Sequence, residues 1–376
     1  MSGKPVIGVV GLGAMGLGIA QVYAQAGFAV LATDAQPAAR TSAPSRLAAA
    51  LDARVAAGKL APEARDATLA RFTLMEAFQA MGAADLVIEA IAEQLEPKRA
   101  LFTALEAVVS SRAVLATNTS SLSVAAMAEG LANPARVLGL HFFNPAPAMK
   151  LVELVAHPRT APPALELARS VTEAAGKTVI ACRDRPGFIV NRCARPFYGE
   201  AMALLEEGRS ASDIDAAMLA AGYRIGPLSL IDLIGADISL AASKGLSAAM
   251  AGHARYHVFS ALKDQVATGD LGRKTGRGFL FPERPGPPPS DGASISLRIE
   301  AMLANEAASL LAEGGIDEAA IDQALRLGLN FPRGPFEAAR THGLARIRAT
   351  LTALEAAAPA HLIGRYKTSP ALEVLQ

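Results

Sequence analysis

The amino-acid sequence predicts a doubly wound α/β sheet followed by an all-α C-terminal region with an internal helical repeat. Short apolar runs alternate with Ala-rich helical stretches up to about residue 184, a pattern typical of a largely parallel sheet covered by helices. After Arg185-Pro186-Gly187 the strand signals largely stop, and long Ala/Leu-rich helical patterns follow. The first part therefore predicts an α/β domain and the second part a helical one.

The predicted strands are short apolar runs. They cover residues 6–10, 29–33, 85–89, 113–117, 136–141, 151–155 and 178–181. Between the first two, Met15, Ile19 and Val22 recur at helical spacing, which completes a Rossmann-type strand–helix–strand unit. Residues 40–72 depart from the alternation and predict a helical pair with a turn at residues 58–62. This excursion could act as a lid over a ligand or as a cap on the sheet edge, and the sequence leaves both open.

The chain is long enough for several domains, each with its own core. We predict a Rossmann-type domain at 1–185, a first helical domain at 186–281, a Pro/Gly-rich linker at 282–296 and a second helical repeat at 297–376. The two helical parts share landmarks in nearly the same order. The matched segments are 200–208 with 306–314, 213–215 with 320–322, and Gly226-Pro227 with Gly334-Pro335. This order predicts an internal duplication.

Composition excludes several classes of function. Lys plus Arg number 36 against 35 Asp plus Glu, so the near-neutral chain shows no footprint for nucleic acid or a membrane surface. Cys182 and Cys193 are the only cysteines, too few for a disulfide framework or a zinc site, and we expect no bound metal. The N-terminus shows no apolar secretory core, so we expect a cytoplasmic protein.

A glycine-rich turn predicts the cofactor. Gly11, Gly13 and Gly16 follow the first strand directly, where side chains would obstruct a pyrophosphate approaching the amino end of a helix. Asp34 ends the second strand, where its carboxylate would accept hydrogen bonds from the adenosine ribose hydroxyls. No arginine follows until Arg40, so NAD is favoured over NADP.

A histidine and a glutamate predict acid–base chemistry. His141 sits at the end of a predicted strand, at the edge where ligands of an open parallel sheet bind. Glu153 follows twelve residues later inside an apolar run, and a carboxylate there needs a partner. An imidazole oriented by a carboxylate suits a general base. Spacing alone also allows a core histidine with a surface glutamate.

Further motifs carry a resemblance to a known family. In chain order they are Glu89-Ala-Ile-Ala-Glu93 with Lys98, residues 118–122, residues 139–145, residues 149–153, residues 185–192, Gly226-Pro227 with Asp232, and residues 272–279. Together they resemble the L-3-hydroxyacyl-CoA dehydrogenase family over residues 5–280. The segment 300–370 resembles the second C-terminal repeat of the longer bacterial members.

The resemblance implies NAD-dependent oxidation of an L-3-hydroxyacyl-CoA to the 3-ketoacyl-CoA. It implies His141 as the general base, Glu153 as its orienting partner, and hydride transfer to the nicotinamide C4. It also implies substrate contacts for Ser120 and Asn191, contacts of Glu93 and Lys98 with the nicotinamide half of NAD, and adenosine contacts for Gly11, Gly13, Gly16 and Asp34.

Phosphates of CoA need local cations in a near-neutral chain. Lys59 and Arg54, both on the 40–72 excursion, are the residues we expect to bind them. Acyl chain length stays open, as does the pathway, fatty-acid oxidation or the degradation of an aromatic acid. Because a hydratase half would precede the first strand, no hydratase activity is expected.

Two alternatives remain. The glycine-rich turn also resembles the β-hydroxyacid dehydrogenases, which act on small free acids and use a lysine; Lys177 would be that lysine. The second alternative is a non-catalytic, crystallin-like NAD-binding protein.

The resemblance also bears on the oligomeric state, because relatives with a single repeat dimerise through their helical domain. We therefore expect residues 187–281 and 297–376 to pack together as a pseudo-dimer in a monomer, with an ordinary homodimer as the other possibility.

Overall fold

A computed structural model describes residues 4–375. The chain divides into two compact units, Met1–Phe188 and Ile189–Gln376. The first unit has a β-sheet with helices around it, and the second unit is helical. The fold class predicted from the sequence is therefore confirmed.

The sheet of the first unit has the strand order β3-β2-β1-β4-β5-β6-β7-β8. The strands are β1 (Ile7–Val10), β2 (Val30–Thr33), β3 (Phe72–Leu74), β4 (Leu86–Glu89), β5 (Val114–Thr117), β6 (Val137–Phe142), β7 (Leu151–Ala156) and β8 (Thr178–Arg183). All neighbours are parallel except β6 and β7, which are antiparallel. Strand order reverses between β1 and β4, so a ligand-binding crevice is expected beyond the carboxyl ends of these two strands.

Six α-helices surround this sheet in the described part of the first unit. They are α1 (Ala14–Gln25), α2 (Pro37–Ala56), α3 (Pro62–Ala70), α4 (Leu95–Glu106), α5 (Val124–Ala128) and α6 (Pro162–Ala174). Helix α1 begins directly after the glycine turn, and Gly27 follows its end with φ of +90°, where a side chain would be strained.

The excursion predicted at 40–72 consists of α2, α3 and the edge strand β3. The sequence pattern does not predict β3, because a three-residue strand is too short to show alternation. Ala43, Leu47 and Leu51 of α2 are fully buried in the core of the first unit. A helix anchored in this way is part of the packed domain, which favours the cap on the sheet edge over the movable lid.

The second unit consists of helices in its described part. They are α7 (Val190–Cys193), α8 (Arg195–Glu206), α9 (Ala211–Ala220), α10 (Pro227–Ile234), α11 (Ala236–Ala249), α12 (Ser260–Ala267), α13 (Gly292–Ala312), α14 (Glu318–Leu329), α15 (Pro335–His342), α16 (Leu344–Ala356) and α17 (Pro370–Val374). Helix α13 packs against α8 and α9 of the first repeat and against α15 to α17 of the second. The two repeats therefore share one core.

The predicted duplication is visible at matching helix starts. Asp215 accepts hydrogen bonds from the backbone N–H groups of Leu228 and Ser229 at the start of α10. Asp322 accepts the corresponding bonds from Phe336 and Glu337 at the start of α15. A Cβ at Gly226 or at Gly334 would lie 2.2 Å from the aspartate of its own repeat, which explains why glycine precedes proline in both.

Two fully buried glutamates link the repeats reciprocally. Glu200, in the first repeat, binds three side chains of the second repeat, namely those of Arg298, Arg365 and Tyr366. Glu306, in the second repeat, binds three side chains of the first repeat, namely those of Arg192, Arg255 and Tyr256. Such an exchange of equivalent contacts is the property of a two-fold interface, here formed within one chain.

Candidate active site

The glycine turn between β1 and α1 shows a separate reason for each glycine. Gly11 has φ of +99°, and a Cβ there would lie 2.5 Å from the carbonyl oxygen of Ala90. A Cβ at Gly16 would lie 1.8 Å from the carbonyl oxygen of Gly11, so Gly16 allows the helix to pack on the turn. Nothing lies within 4 Å of a Cβ placed at Gly13, the exposed N-cap of α1. The backbone at Gly13 can therefore be approached closely by a pyrophosphate.

Asp34 follows β2 and is held against the same turn. One of its carboxylate oxygens accepts a hydrogen bond from Leu12 N–H at 2.6 Å, and the other accepts one from Gln36 N–H at 2.7 Å. A carboxylate fixed here fits a ribose diol and repels a 2′-phosphate. The residues at this end of the sheet therefore fit NAD.

His141 and Glu153 face each other across two antiparallel strands. They are directly paired residues of β6 and β7, and Nδ1 of His141 lies 2.5 Å from Oε2 of Glu153. The Glu153 side chain is fully buried and that of His141 is 7% exposed. An ionised carboxylate can only accept a hydrogen bond, so we assign the proton of this bond to Nδ1 of His141, which leaves the lone pair on Nε2. The pair thus has the arrangement of an oriented general base.

Aromatic rings position the imidazole. The ring of Phe143 lies 4.5 Å from that of His141 between centroids, and the ring of Phe188 lies at 5.9 Å. Both rings restrict rotation of the histidine and exclude water from one side of it. Phe188 itself is buried with φ of +48°, so the chain pays a local conformational cost to place this ring.

Glu93, after β4, is the centre of a hydrogen-bond cluster. Its Oε1 accepts bonds from Thr119 Oγ1 at 2.6 Å, from Ser120 N–H at 2.9 Å and from Ser121 Oγ at 3.1 Å. Burial opposes ionisation, but the bond from Thr119 and the charge of Lys98 outweigh it and hold the pKa of Glu93 below its usual value. The cluster fixes the Ser120 loop next to β6, since β5 and β6 are neighbours.

Lys98 lies beneath this cluster. Its side chain is 1% exposed, and its Nζ lies 2.6 Å from Oε1 of Glu89 and 3.2 Å from Oε2 of Glu93. The buried ammonium therefore holds Glu93 in place from below. Its predicted contact with the nicotinamide half of NAD stays a prediction, as does that of Glu93.

The three remaining predicted site residues do not lie on β6 or β7, the strands that carry His141 and Glu153. Asn191 is half-buried on α7 of the second unit. Lys59 is exposed on the turn between α2 and α3, and Arg54 is half-buried in the last turn of α2. Their roles in substrate binding stay predictions.

Lys177 belongs to the structural framework of the first unit. Its Nζ donates hydrogen bonds to the carbonyl oxygens of Ala146 and Met149, at 2.6 and 2.7 Å. Burial lowers the pKa of Lys177 to about 8. An ammonium bound to two carbonyl groups is poorly suited to act on a substrate.

Three residues of the site were missed as functional candidates. Glu89 is fully buried and accepts hydrogen bonds from Lys98 and Thr117. Thr119 donates the shortest hydrogen bond to Glu93. Asn118 accepts a hydrogen bond from Phe142 N–H. Glu89 could have been found, because an acidic residue closing an apolar strand is the signal that singled out Glu153. Thr119 and Asn118 carry no such signal.

Within residues 4–375, no group of three or more His, Cys, Asp or Glu side chains is arranged to hold a metal ion. No described helix is both long and apolar enough to cross a bilayer.

Comparison with known families gives two matches that together span most of the chain. Residues 6–185 match the family model described as 3-hydroxyacyl-CoA dehydrogenase, NAD binding domain. Residues 187–281 and 295–375 both match the model described as 3-hydroxyacyl-CoA dehydrogenase, C-terminal domain. The second model thus matches twice, once in each helical repeat.

Individual proteins show the same similarity. The chain is 45% identical over 274 residues to the 3-hydroxyadipyl-CoA dehydrogenase of Escherichia coli K12, covering 72% of this chain but only 58% of that protein. A crystal structure of 3-hydroxybutyryl-CoA dehydrogenase from E. coli K12 matches with a TM-score of 0.90 and 32% identity, over 99% of this chain and 98% of that one.

A shorter protein matches only part of the chain. The (S)-3-hydroxybutyryl-CoA dehydrogenase of Ralstonia eutropha matches with a TM-score of 0.71 and 36% identity, over 73% of this chain and 98% of its own. Nearly all of that solved chain therefore aligns with about three quarters of this chain.

Proposed function

Because the chain belongs to the 3-hydroxyacyl-CoA dehydrogenase family, we propose that it oxidises an L-3-hydroxyacyl-CoA to the corresponding 3-ketoacyl-CoA. It is an NAD-dependent oxidoreductase. The observation that carries the proposed reaction is the His141–Glu153 pair, which supplies a base at the carboxyl end of β6.

His141 performs the proton transfer in this proposal. Its Nε2 accepts the proton of the C3 hydroxyl group, and Glu153 stabilises the imidazolium that forms. The buried position of Glu153 strengthens this stabilisation, because the local dielectric constant is low. When bound at the glycine turn, NAD supplies the acceptor for the hydride that leaves C3.

Other residues hold the substrate and the cofactor. Ser120, fixed by Glu93, contacts the substrate oxygen, and Asn191 positions the acyl group. Lys59 and Arg54 bind phosphate groups of CoA. Gly11, Gly13, Gly16 and Asp34 hold the adenosine half of NAD, while Glu93 and Lys98 shape the nicotinamide side.

Turnover assays test the proposal against its alternatives. Purified protein is mixed with NAD and either L-3-hydroxybutyryl-CoA, its D-isomer or free 3-hydroxybutyrate, and NADH absorbance is followed. We expect NADH with the L-thioester. Turnover of the free acid alone would indicate a β-hydroxyacid dehydrogenase, and NAD binding without any turnover would indicate a non-catalytic protein.

The oligomeric state and location complete the proposal. The reciprocal contacts of Glu200 and Glu306 occupy the surface that a second chain would use, which supports a monomer with pseudo-dimeric repeats over a homodimer. We place the protein in the cytoplasm, as its composition predicts. Sedimentation and cell fractionation measure these two properties.

A further inference from the structure

Arg195, the first residue of α8, is an arginine without an acidic partner among residues 4–375. Its Nη1 donates a hydrogen bond to Ser243 Oγ at 3.2 Å, and its guanidinium carbon lies 5.1 Å from the centre of the Tyr198 ring. Its Nε is buried and has no hydrogen-bond partner in the part of the chain that the structure describes. No carboxylate within residues 4–375 forms an ion pair with it.

This situation is costly for a guanidinium. Burial lowers the pKa of Arg195, and Tyr198 opposes that shift, yet arginine remains protonated in proteins. Buried charges in proteins are normally paired with a counter-ion. A buried guanidinium that has none is therefore expected to bind an anion. Ser243 accepts the hydrogen bond from Nη1, so the edge of the guanidinium formed by Nε and Nη2 remains for a ligand. That edge matches both oxygens of a carboxylate.

The neighbouring arginines do not share this feature. Arg255 and Arg365 line the same small cavity as Arg195, but Glu306 and Glu200 neutralise them. Those pairs belong to the reciprocal contacts between the repeats. At the position of Arg195 the second repeat has Ala301, so Arg195 serves no equivalent contact. It adds a positive charge that no carboxylate in the described part of the chain balances.

The cavity beside Arg195 lies within the second unit and has a volume of about 20 Å³. That is room for a water molecule or a group of similar size. Met202, Phe259 and Leu262 form apolar parts of its wall. An apolar wall with one unneutralised cation suits the charged end of a short aliphatic chain.

Arg195 also lies close to a proposed substrate residue. Asn191 precedes it by four residues along a nearly continuous helical stretch, because Ala194 between α7 and α8 keeps a helical conformation. Residues four apart lie on the same helix face, about 5.4 Å apart along the axis. An acyl group positioned by Asn191 therefore has Arg195 one turn away.

We propose that Arg195, held by Ser243, binds the terminal carboxylate of a dicarboxylic 3-hydroxyacyl-CoA. This inference rests on the function proposed above and specifies the substrate class of that site. In a six-carbon diacid, two methylene groups separate C3 from the distal carboxylate, which matches a span of about one helical turn. The ion pair would select a diacid thioester over a monoacid thioester of equal length.

Two matched substrates test the proposal. 3-Hydroxyadipyl-CoA and 3-hydroxyhexanoyl-CoA have the same chain length and differ at the terminal group, a carboxylate or a methyl. The kcat/KM values of both are measured with NAD for the wild type, Arg195→Met, Arg195→Lys and Arg224→Met. Arg224 is exposed in the same unit and serves as the control for an arginine-to-methionine change.

We expect the wild type to prefer the diacid substrate. In Arg195→Met the ratio of the two kcat/KM values should fall by about 10- to 100-fold, the effect of losing a hydrogen-bonded charge pair. Arg195→Lys should retain part of the preference, since it keeps the charge and loses the planar fork. Arg224→Met should keep the wild-type ratio.

Other results overturn the inference. If Arg195 only supports folding, Arg195→Met lowers both kcat/KM values equally and the ratio stays constant. Equal values for the two substrates in the wild type also overturn it, whether or not the variants fold. Failure of the wild type on both substrates and on L-3-hydroxybutyryl-CoA would instead refute the proposed reaction, whereas turnover of L-3-hydroxybutyryl-CoA alone would overturn only the inference about Arg195.

Discussion

At the scale of single residues, the site depends on strand register. His141 and Glu153 are twelve residues apart in the chain but directly opposite each other in an antiparallel pair. A shift of one residue in this register would turn Glu153 to the other face of the sheet and remove the carboxylate from the imidazole. The short Nδ1–Oε2 distance therefore depends on the whole β6–β7 pairing.

Replacing the histidine tests its proposed role. His141→Ala should lower turnover of L-3-hydroxybutyryl-CoA by about 10²- to 10⁴-fold, the usual contribution of a general base. NAD affinity should be unchanged, because the glycine turn lies after a different strand. His361→Ala, at an exposed histidine, is the control. Turnover near the wild-type value in His141→Ala would remove His141 from the mechanism.

A second residue-scale prediction concerns the glycine turn. A methyl group at Gly13 meets none of the described residues within 4 Å, so Gly13→Ala should keep the wild-type stability. It should weaken NADH binding by at least about tenfold, because the methyl group obstructs the pyrophosphate and disturbs a hydrogen bond to a charged group. Fluorescence titration measures the affinity.

Gly245→Ala, an open position on α11, is the matched control and should bind NADH normally. If Gly13→Ala also binds NADH like the wild type, the pyrophosphate lies elsewhere.

At the scale of elements, β4, α4 and β5 are joined by buried hydrogen bonds next to the Ser120 loop. Glu89 closes β4, Lys98 lies on α4, and Thr117 closes β5; all three side chains are buried and bonded through Glu89. The network positions Glu93 and thereby the Ser120 loop. Buried pairs of this kind define geometry more than they add stability.

Removing one partner should therefore be costly. Lys98→Met should lower the free energy of unfolding by about 3–5 kcal/mol, because Glu89 is left as an uncompensated buried charge. The double variant Lys98→Met/Glu89→Gln should recover part of that loss. Urea unfolding of both variants measures the difference. A wild-type midpoint for the single variant would mean that the pair contributes no stability.

The scale of elements also shows the limits of sequence patterns. Predicted strand boundaries agree closely with β1, β2 and β4 to β8, because buried strands are continuous apolar runs flanked by turn residues. Strand β3 was missed, since its three residues acquire strand geometry only by pairing with β2. Likewise, only the hydrogen bond to Glu93 in the structure identifies Thr119 as a site residue.

At the scale of the whole molecule, the two repeats of the second unit form, within one chain, the kind of two-fold interface that two chains form in a dimer. Besides Glu200 and Glu306, Glu207 pairs with Arg298 and Glu313 pairs with Arg192, again in equivalent positions. One repeat alone would leave its buried glutamate without the three side chains that the other repeat supplies.

Truncation should convert this internal pairing into an intermolecular one. A chain of residues 1–281 exposes the face that α13 covers, and a second copy can supply Arg192, Arg255 and Tyr256 to Glu200. We expect the truncated chain to sediment as a dimer and the full chain as a monomer of 38.8 kDa. Glu200→Gln in the truncated chain should weaken the dimer. A well-folded truncated monomer would contradict the reciprocal interface.

The sequence by itself determined the succession of helices and of all strands except β3 along the chain, the glycine turn, the acidic residue for the ribose and the duplication, because these features depend on local backbone conformation and on burial along the chain. Only the tertiary structure decided that Glu153 meets His141, that Glu200 and Glu306 exchange partners, and that Arg195 has no acidic partner within residues 4–375. These contacts join residues far apart in the chain, and strand register and helix packing, rather than local sequence, select which side chains meet.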